Sequence, residues 1–527
     1  MADINDNKIL LIGVIIAVVA SAVWAANYKL HFNGFFLNDA HDFGQMARNI
    51  YEGRGFKTSV LRPINIIHFK YIPYPEVTRP PLFPLMLAGL FSVFGVNDFA
   101  IVSSGGIAYM ALAVLTFLVA MELTESYLIG LFGSLIVSFH LFFLPHGILG
   151  TSDLVYAACF MGFIYFYLRK QALMFWHGVI IGLLYLLRTN TLFVALPLLL
   201  MELRRKDAST RWRSFMLFSA GALIPIFPYL VRNYIDTGNP LFSIHKYTLA
   251  LETTTYPGFT LWTQINDVSV GRFFLDHPGE VFQKFFNSMI SLQREFFASF
   301  QLPGVLMLLA GLTLPINGTG LQKIRRLVLW VIALQLLLIS PMGSGGLRFY
   351  LFLIPLTVIS FGAVISRFSA TTKKSGVVLA AVLAIVAVVM LYPSINYWKD
   401  WRAMRQLNLA VEFGKTLKAI TGKEDVIASD MAWEISWYAD RKTVWMPYDL
   451  ETMEKISRSI PIDYIFLSLN ILRPFAEYKD DTWQKLYTES GSFTLPGVTL
   501  TSVYYYGSTP VGVLYKVERD QKGQNHL

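Results

Sequence analysis

The chain holds a single cysteine in 527 residues, Cys159, so no intramolecular disulfide can form and the redox compartment leaves no mark on the sequence. Cys159 lies in an apolar run and reads as a small buried hydrophobe. Charge is scarce too: Asp, Glu, Lys and Arg make up 15% of the residues, against roughly a quarter in soluble domains. Also missing are a GxxxxGK[ST] phosphate loop, a GxGxxG turn, an HExxH helix and any Cys/His spacing suited to a metal. These absences argue against soluble nucleotide chemistry. Internal repeats and low-complexity tracts are absent as well.

What is present is apolar. Hydrophobic residues reach 54% and aromatics 15%, with a mean hydropathy of +0.48. Such a balance marks a polytopic membrane protein, with Trp and Tyr at the bilayer interfaces. Runs long enough to approach a bilayer core of about 30 Å occur at 9–26, 98–120, 127–145, 153–168, 173–187, 189–202, 214–232, 301–316, 324–341, 347–366 and 375–392. About eleven spans are expected. The polar lead Met1–Lys8 and the long run Ile9–Ala26 favour a retained first helix over a cleaved signal peptide.

The net charge of +9 sits in short loops. Examples are Arg204-Arg205-Lys206 with Arg211 and Arg213, Lys323 with Arg325-Arg326, and Arg367 with Lys373-Lys374. This is the positive-inside pattern and calls for no nucleic acid. Alternating crossings then place the N-terminus in the cytoplasm, and residue 97 and residues 146–152 outside. One more crossing would invert that order, so the short apolar stretch 81–95 is expected to be re-entrant or interfacial.

Two external regions are large, 27–97 and 233–300. From Asp42 onward, Phe43, Met46, Ala47, Ile50 and Tyr51 fall at helical spacing opposite Gln45, Arg48, Asn49 and Glu52. An interfacial helix is expected, ended by Gly53 and Gly55. A second helix is expected over Pro278–Phe300. After residue 393 charges become frequent and apolar runs shrink. Strands are expected at Asp425–Ser429, Thr443–Met446 and Tyr464–Leu467, helices near 403–420 and 449–458, and a hairpin from Thr501–Tyr506 and Val511–Val517 around Gly507–Pro510. The expected fold is an α-helical polytopic membrane domain, residues 1–393, followed by an extracytoplasmic α/β domain, residues 394–527.

Asp39, His41 and Asp42 crowd together about ten residues after the first run, where charge at a bilayer edge is a functional candidate. Asp39 suits a general base or a metal ligand, whereas Asp42 suits the cap of the interfacial helix. Arg79, before Pro80-Pro81, suits either a phosphate or an ordinary snorkelling position in the headgroup zone. Ser152-Asp153 offers a second carboxylate or a helix cap. Arg188, Arg232 and Arg348 stand at outer helix ends, against the positive-inside bias, and together point to a lipid phosphate. His140 and His146 are isolated and read as structural.

Taken in order, these motifs resemble one family. Asp39-Ala-His-Asp42 through Met46-Ala-Arg-Asn-Ile-Tyr-Glu-Gly-Arg-Gly-Phe56, Arg79-Pro-Pro-Leu-Phe-Pro-Leu85, Ser152-Asp153, Leu187-Arg-Thr-Asn190, Pro228-Tyr-Leu-Val-Arg-Asn-Tyr234 with Gly238-Asn-Pro-Leu241, and Arg348-Phe-Tyr-Leu351 carry the likeness. Trp433–Pro447 adds to it in the outer domain. They resemble glycosyltransferase family 39 and its bacterial relatives in the C superfamily (GT-C), which include protein O-mannosyltransferases and the aminoarabinose transferase of lipid A.

The resemblance implies transfer of a sugar from a polyprenyl-phosphate donor to a glycan, lipid or protein acceptor at the outer face of the cytoplasmic membrane. It implies an inverting displacement with Asp39 as the catalytic carboxylate and Asp153 as the second acidic position. Arg79 and Arg348 would stabilise the leaving phosphate, with Arg188, Arg232, His41 and Asp42 as further substrate-binding candidates. Many members carry Asp-Glu in the first loop, where this chain has Asp39-Ala40. A divalent ion (Mg, Mn or Zn) therefore stays open, with Asp39 and Asp153 as its candidate ligands. A membrane transporter or lipid flippase is the alternative; it would place charge at mid-membrane in paired halves, and the ionisable residues here gather at one edge.

Overall fold

The computed structural model describes residues 6–170, 172–203, 208–343, 346–370, 375–400, 408–472, 478, 481–489, 491–495, 498–506 and 511–519. Arg204, Arg205, Lys206, Lys373, Lys374, the turn Gly507–Pro510 and the start of the helix expected from 403 lie outside them. The chain divides into two compact units.

The first unit takes its described residues from Met1–Phe35, Pro80–Leu241 and Phe285–Gln406 and is helical. Among the described residues, seven helices are long and apolar enough to cross a membrane: Asp6–His31, Asp98–Thr124, Arg211–Thr237, Pro278–Thr313, Thr319–Met342, Leu347–Ser369 and Ser375–Lys399. Eleven runs were expected; of the other four, 153–168 folds as the 18-residue helix Ser152–Arg169, and 127–145, 173–187 and 189–202 fold as shorter helices. Leu82–Phe94, Tyr127–Phe139, Met174–Leu187 and Leu192–Leu203 fold as helices of 12 to 14 residues, about 18–21 Å long at the α-helical rise. The helix from Pro278 breaks at Gln301, whose φ of 51° lies outside the helical region, two residues before Pro303. That is where the sequence separates an external helix from an apolar run.

Glycines allow close helix contacts. A Cβ on Gly178 or Gly182 would strike the backbone oxygen of Phe218 or Ala222, and one on Gly221 would strike the backbone oxygen of Phe175. The Met174–Leu187 and Ala208–Thr237 helices thus pack through a Gly-x-x-x-Gly face, the arrangement that lets apolar helices gain van der Waals contact within lipid. The first helix is tied in by polar bonds at its C-terminal end. Trp24 donates to the carbonyl of Gly147 at 2.8 Å, and Asn27 donates to that of Leu144 at 2.6 Å while accepting from the Tyr397 hydroxyl at 2.7 Å. Cys159, expected inside, sits on the exposed side of the Ser152–Arg169 helix.

The second unit gathers the described residues of Phe36–Arg79, Phe242–Lys284 and Leu407–Leu527. Where the sequence suggests a division near residue 394, this unit also takes in parts of both external regions. Its seven-stranded sheet has the order β2-β5-β4-β6-β9-β8-β7. Here β1 is Lys57–Thr58, β2 Val60–Leu61, β3 Tyr74–Pro75, β4 Val426–Ser429, β5 Lys442–Trp445, β6 Tyr464–Ser468, β7 Ser492–Leu495, β8 Val498–Tyr506 and β9 Gly512–Arg519. Strands β2, β5, β4 and β6 run parallel, and β9, β8 and β7 continue antiparallel.

Strand alternation sorts the core into two layers. Ile427, Phe466 and Leu514 face Phe413 and Leu417 of the Leu409–Ile420 helix. Ala428, Ile465, Leu467, Val513 and Tyr515 face the opposite layer, which holds Trp433, Trp483 and, from the first external region, Val60, Leu61, Phe69 and Tyr74.

Candidate functional site

The Asn38–Tyr51 helix carries the opening cluster, and it starts earlier than the periodicity suggests. Leu37 occupies the N-cap with extended backbone and no side-chain cap bond. Asp42 is therefore not the cap; it lies a full turn inside. The helix ends as expected, with Gly53 at a φ of 78° and its N–H bonded to the Ile50 carbonyl.

Its polar face, expected to meet lipid headgroups, is buried within the unit. Gln45 donates to Thr58 Oγ1 at 2.9 Å and accepts from the Ser59 N–H at 2.8 Å. Asn49 donates to the Lys57 carbonyl at 2.8 Å. Arg48 reaches Asp440 at 2.7 Å and the Trp437 carbonyl at 2.6 Å. The Arg48 bonds draw the helix against the Ala432–Tyr438 helix, so the amphipathic pattern records burial against protein on both faces.

Two carboxylate–guanidinium pairs follow from this placement, one inside the other. Asp42 Oδ2 accepts from Arg62 Nη2 at 2.9 Å, with the two side chains 0% and 2% exposed. Asp39 Oδ1 accepts from Arg79 Nη2 at 2.5 Å, with side chains 19% and 22% exposed. Arg79 joins the pairs by donating from Nε to Asp42 Oδ2 at 3.3 Å.

Glu76, wholly buried, holds the turn that presents Arg79, because its Oε1 accepts from the backbone N–H of Thr78 and, at 3.0 Å, from that of Arg79. Burial alone would pull the Arg79 guanidinium down. Asp39 and Asp42 more than reverse this and hold it above its ordinary value. Burial raises the Glu76 carboxyl, with Arg62 opposing.

His41 points into protein. It is completely buried, packs edge-to-face on Tyr438 at 5.3 Å between ring centroids, and is pushed down to about 3 by burial, so its imidazole is neutral. His245, missed in the sequence, lies in the field of the pairs. Burial and then the Arg79 and Arg62 charges lower it to about 4. Arg62 and Glu76 were missed too. Each is a lone charge in a loop without period, and only the tertiary contact gives it meaning.

The helical unit holds a second cluster. Asp153, in the first turn of the Ser152–Arg169 helix, accepts from Arg188 Nη1 at 2.5 Å, and Ser152 Oγ accepts from the same nitrogen at 3.2 Å. The guanidiniums of Arg188 and Arg348 lie 5.2 and 5.4 Å from the Phe349 ring centroid, so both contact one aromatic ring. Arg232 pairs with Asp236 one turn along its own helix at 2.8 Å.

Divalent ions take several oxygen, nitrogen or thiolate ligands. Among the described residues no group of three or more His, Cys, Asp or Glu side chains is placed to share one. The carboxylates of Asp39, Asp42 and Asp153 are each turned to a guanidinium. Neither cluster, as built, fits a metal.

No family model matches the chain, and no curated protein sequence does. Solved structures do. ArnT from Cupriavidus metallidurans bound to undecaprenyl phosphate aligns over 95% of this chain and 97% of its own, with a TM-score of 0.60 at 11% identity. The Archaeoglobus fulgidus oligosaccharyltransferase in the apo form aligns over 99% and 75%, with a TM-score of 0.58 at 11% identity. The same enzyme in complex with Zn and sulfate aligns over 96% and 73%, with a TM-score of 0.55 at 12% identity. At such identities the likeness is one of fold, and both neighbours are GT-C glycosyltransferases: this chain has the GT-C fold, carried by a multi-pass helical unit and an α/β unit.

Proposed function

We propose that the protein is an integral membrane glycosyltransferase. It takes a sugar from a polyprenyl-phosphate-linked donor and passes it to a glycan, lipid or protein acceptor on the outer face of the cytoplasmic membrane. The observation that carries this reading is the partly exposed Asp39–Arg79 pair backed by the buried Asp42–Arg62 pair. A carboxylate and a guanidinium suited to a phosphate are held side by side on a helix and a turn. The fold of the neighbours, one of them bound to undecaprenyl phosphate, supports the same reading.

In this mechanism the acceptor oxygen attacks the anomeric carbon as the bond from that carbon to the phosphate oxygen breaks. The acceptor proton passes to the Asp39 carboxylate, a role that supplies about 10²- to 10⁴-fold. The electron pair leaves with the phosphate, and Arg79 stabilises its charge. The single displacement inverts the anomeric centre. Asp153 is the second acidic residue of the reaction, and Arg188, Arg348 and Arg232 supply cationic groups for the lipid phosphate. Asp42 acts through Arg79, and His41, neutral and enclosed, supports the helix.

Membranes containing the protein, supplied with a panel of polyprenyl-phosphate sugars, test this reading. Appearance of a product heavier by one sugar, with release of polyprenyl phosphate, is the expected result. Movement of intact donor across the bilayer with no bond broken would replace it with the flippase reading.

A further inference from the structure

Asp42 faces two guanidiniums in a place where a helix cap was expected. Its Oδ2 binds Arg62 and Arg79, and its Oδ1 accepts from Gln45 Nε2 at 3.2 Å. Gln45 is itself fixed by Thr58 and Ser59. Arg79 is therefore held along its Nε edge by Asp42, at Nη2 by Asp39 and at its backbone by Glu76.

With Asp39 and Asp42 both turned toward Arg79 alone, two carboxylates would meet one guanidinium, and its attraction for a phosphate would be cancelled. Arg62 restores the balance to two against two. The remaining Glu76 oxygen contact goes to backbone N–H groups, and burial pushes that carboxyl toward its neutral form.

A stability role alone explains Arg62 poorly. Its Nε and Nη1 are buried without hydrogen-bond partners among the described residues, and unfilled buried donors are costly. The Trp433 ring, 5.5 Å from the guanidinium, offsets only part of that.

We propose that Arg62 and Asp42 are positioning residues for Arg79: Asp42 orients its guanidinium, and Arg62 neutralises Asp42 so that the charge of Arg79 is left for the donor phosphate. The proposal rests on the glycosyl-transfer reading above.

The test compares full-length parent, R62Q, R62K, D42N and D42N/R62Q in lipid nanodiscs. Undecaprenyl phosphate is the binding probe, turnover is measured with the active donor, and signals are normalised to folded protein. R62Q is expected to weaken binding about tenfold or more, because an uncompensated Asp42 then competes for Arg79. R62K restores much of it. D42N/R62Q returns binding to within about threefold of the parent, although it removes more groups. D42N binds within about threefold of the parent but turns over at least about tenfold more slowly, since Arg79 keeps its charge and loses its orientation.

If either single variant fails to fold, the double variant, which removes both members of the Asp42–Arg62 pair together, still decides. A folded double variant that binds as weakly as R62Q, or worse than about tenfold below the parent, overturns the proposal. So does a D42N protein that loses binding and turnover in equal measure. Absence of binding by the parent itself is a different outcome, which overturns the donor reading and this proposal with it.

Discussion

Arg188 donates from Nη1 to Asp153 at 2.5 Å across 35 residues of chain, and the carboxylate it holds is only 2% exposed. Removing one partner of a buried pair leaves the other charge stranded, at a cost of about 3–5 kcal/mol. Neutralising the carboxylate while keeping its oxygen costs about 1–2 kcal/mol. Arg188→Met is therefore expected to lower the melting temperature more than Asp153→Asn does. Thermal unfolding in detergent gives the order, and an Arg188→Met protein as stable as Asp153→Asn would contradict the pairing.

Helix packing in the same unit depends on Gly221 and Gly178, where an added Cβ meets backbone of the facing helix. Backbone cannot move aside as a flexible side chain can, so overpacking of about 1–3 kcal/mol is expected. Gly221→Ala should lower the melting temperature by several degrees. Gly271→Ala is the control: nothing lies within 4 Å of its Cβ position, and it should be neutral or slightly stabilising.

Local signals were the ones the sequence carried well. The strands at 426–429, 442–445 and 464–468, the pairing of 498–506 with 512–519 and the break near residue 301 follow from apolar runs, β-branched residues and proline. The membership of 36–79 and 242–284 in the sheet-bearing unit did not show. Strand β2 has two residues, too few for any period, and pairs with Thr443 and Val444 far along the chain. The helix of 38–51 was visible, but its amphipathic pattern could not tell a headgroup layer from a protein interior. Asp42 fits the cap rule locally and is claimed instead by Arg62, which offered no signal of its own. The Arg188–Asp153 contact likewise joins two motifs that looked independent.

Glu434 gives the sheet-bearing unit a pH dependence of known sign. Burial, opposed by its own backbone contact and helped by the nearby Asp430 charge, moves its carboxyl up from 4.5 to about 7. Burial likewise raises Asp430 to about 6. Between the unfolded and folded values the folded protein binds more protons, so stability falls as pH rises from about 4 to 7 and levels off above. Glu434→Gln keeps the neutral shape. Its melting temperature should match the parent's near pH 4 and exceed it by a margin that grows to about pH 7 and then holds. A margin that is constant with pH would refute the assignment.

The topology expected from loop charge places the segment before the Asp98–Thr124 helix outside. Asn97 caps that helix by accepting from the Ala100 N–H at 2.9 Å, so Val96 is the safer probe. Val96→Cys, in a Cys159→Ser background, should react with an impermeant thiol reagent on intact cells. Labelling only after permeabilisation would invert the arrangement.

In the proposed reaction Asp39 receives the acceptor proton during sugar transfer. The most direct test is initial turnover by parent and Asp39→Asn protein, measured as release of polyprenyl phosphate in the presence of acceptor. The asparagine keeps the shape and a hydrogen bond to Arg79 but cannot take up the proton. The expected result is a loss of at least about 100-fold with unchanged expression and undecaprenyl phosphate binding within about threefold of the parent. Turnover within about twofold of the parent would remove Asp39 from the base role.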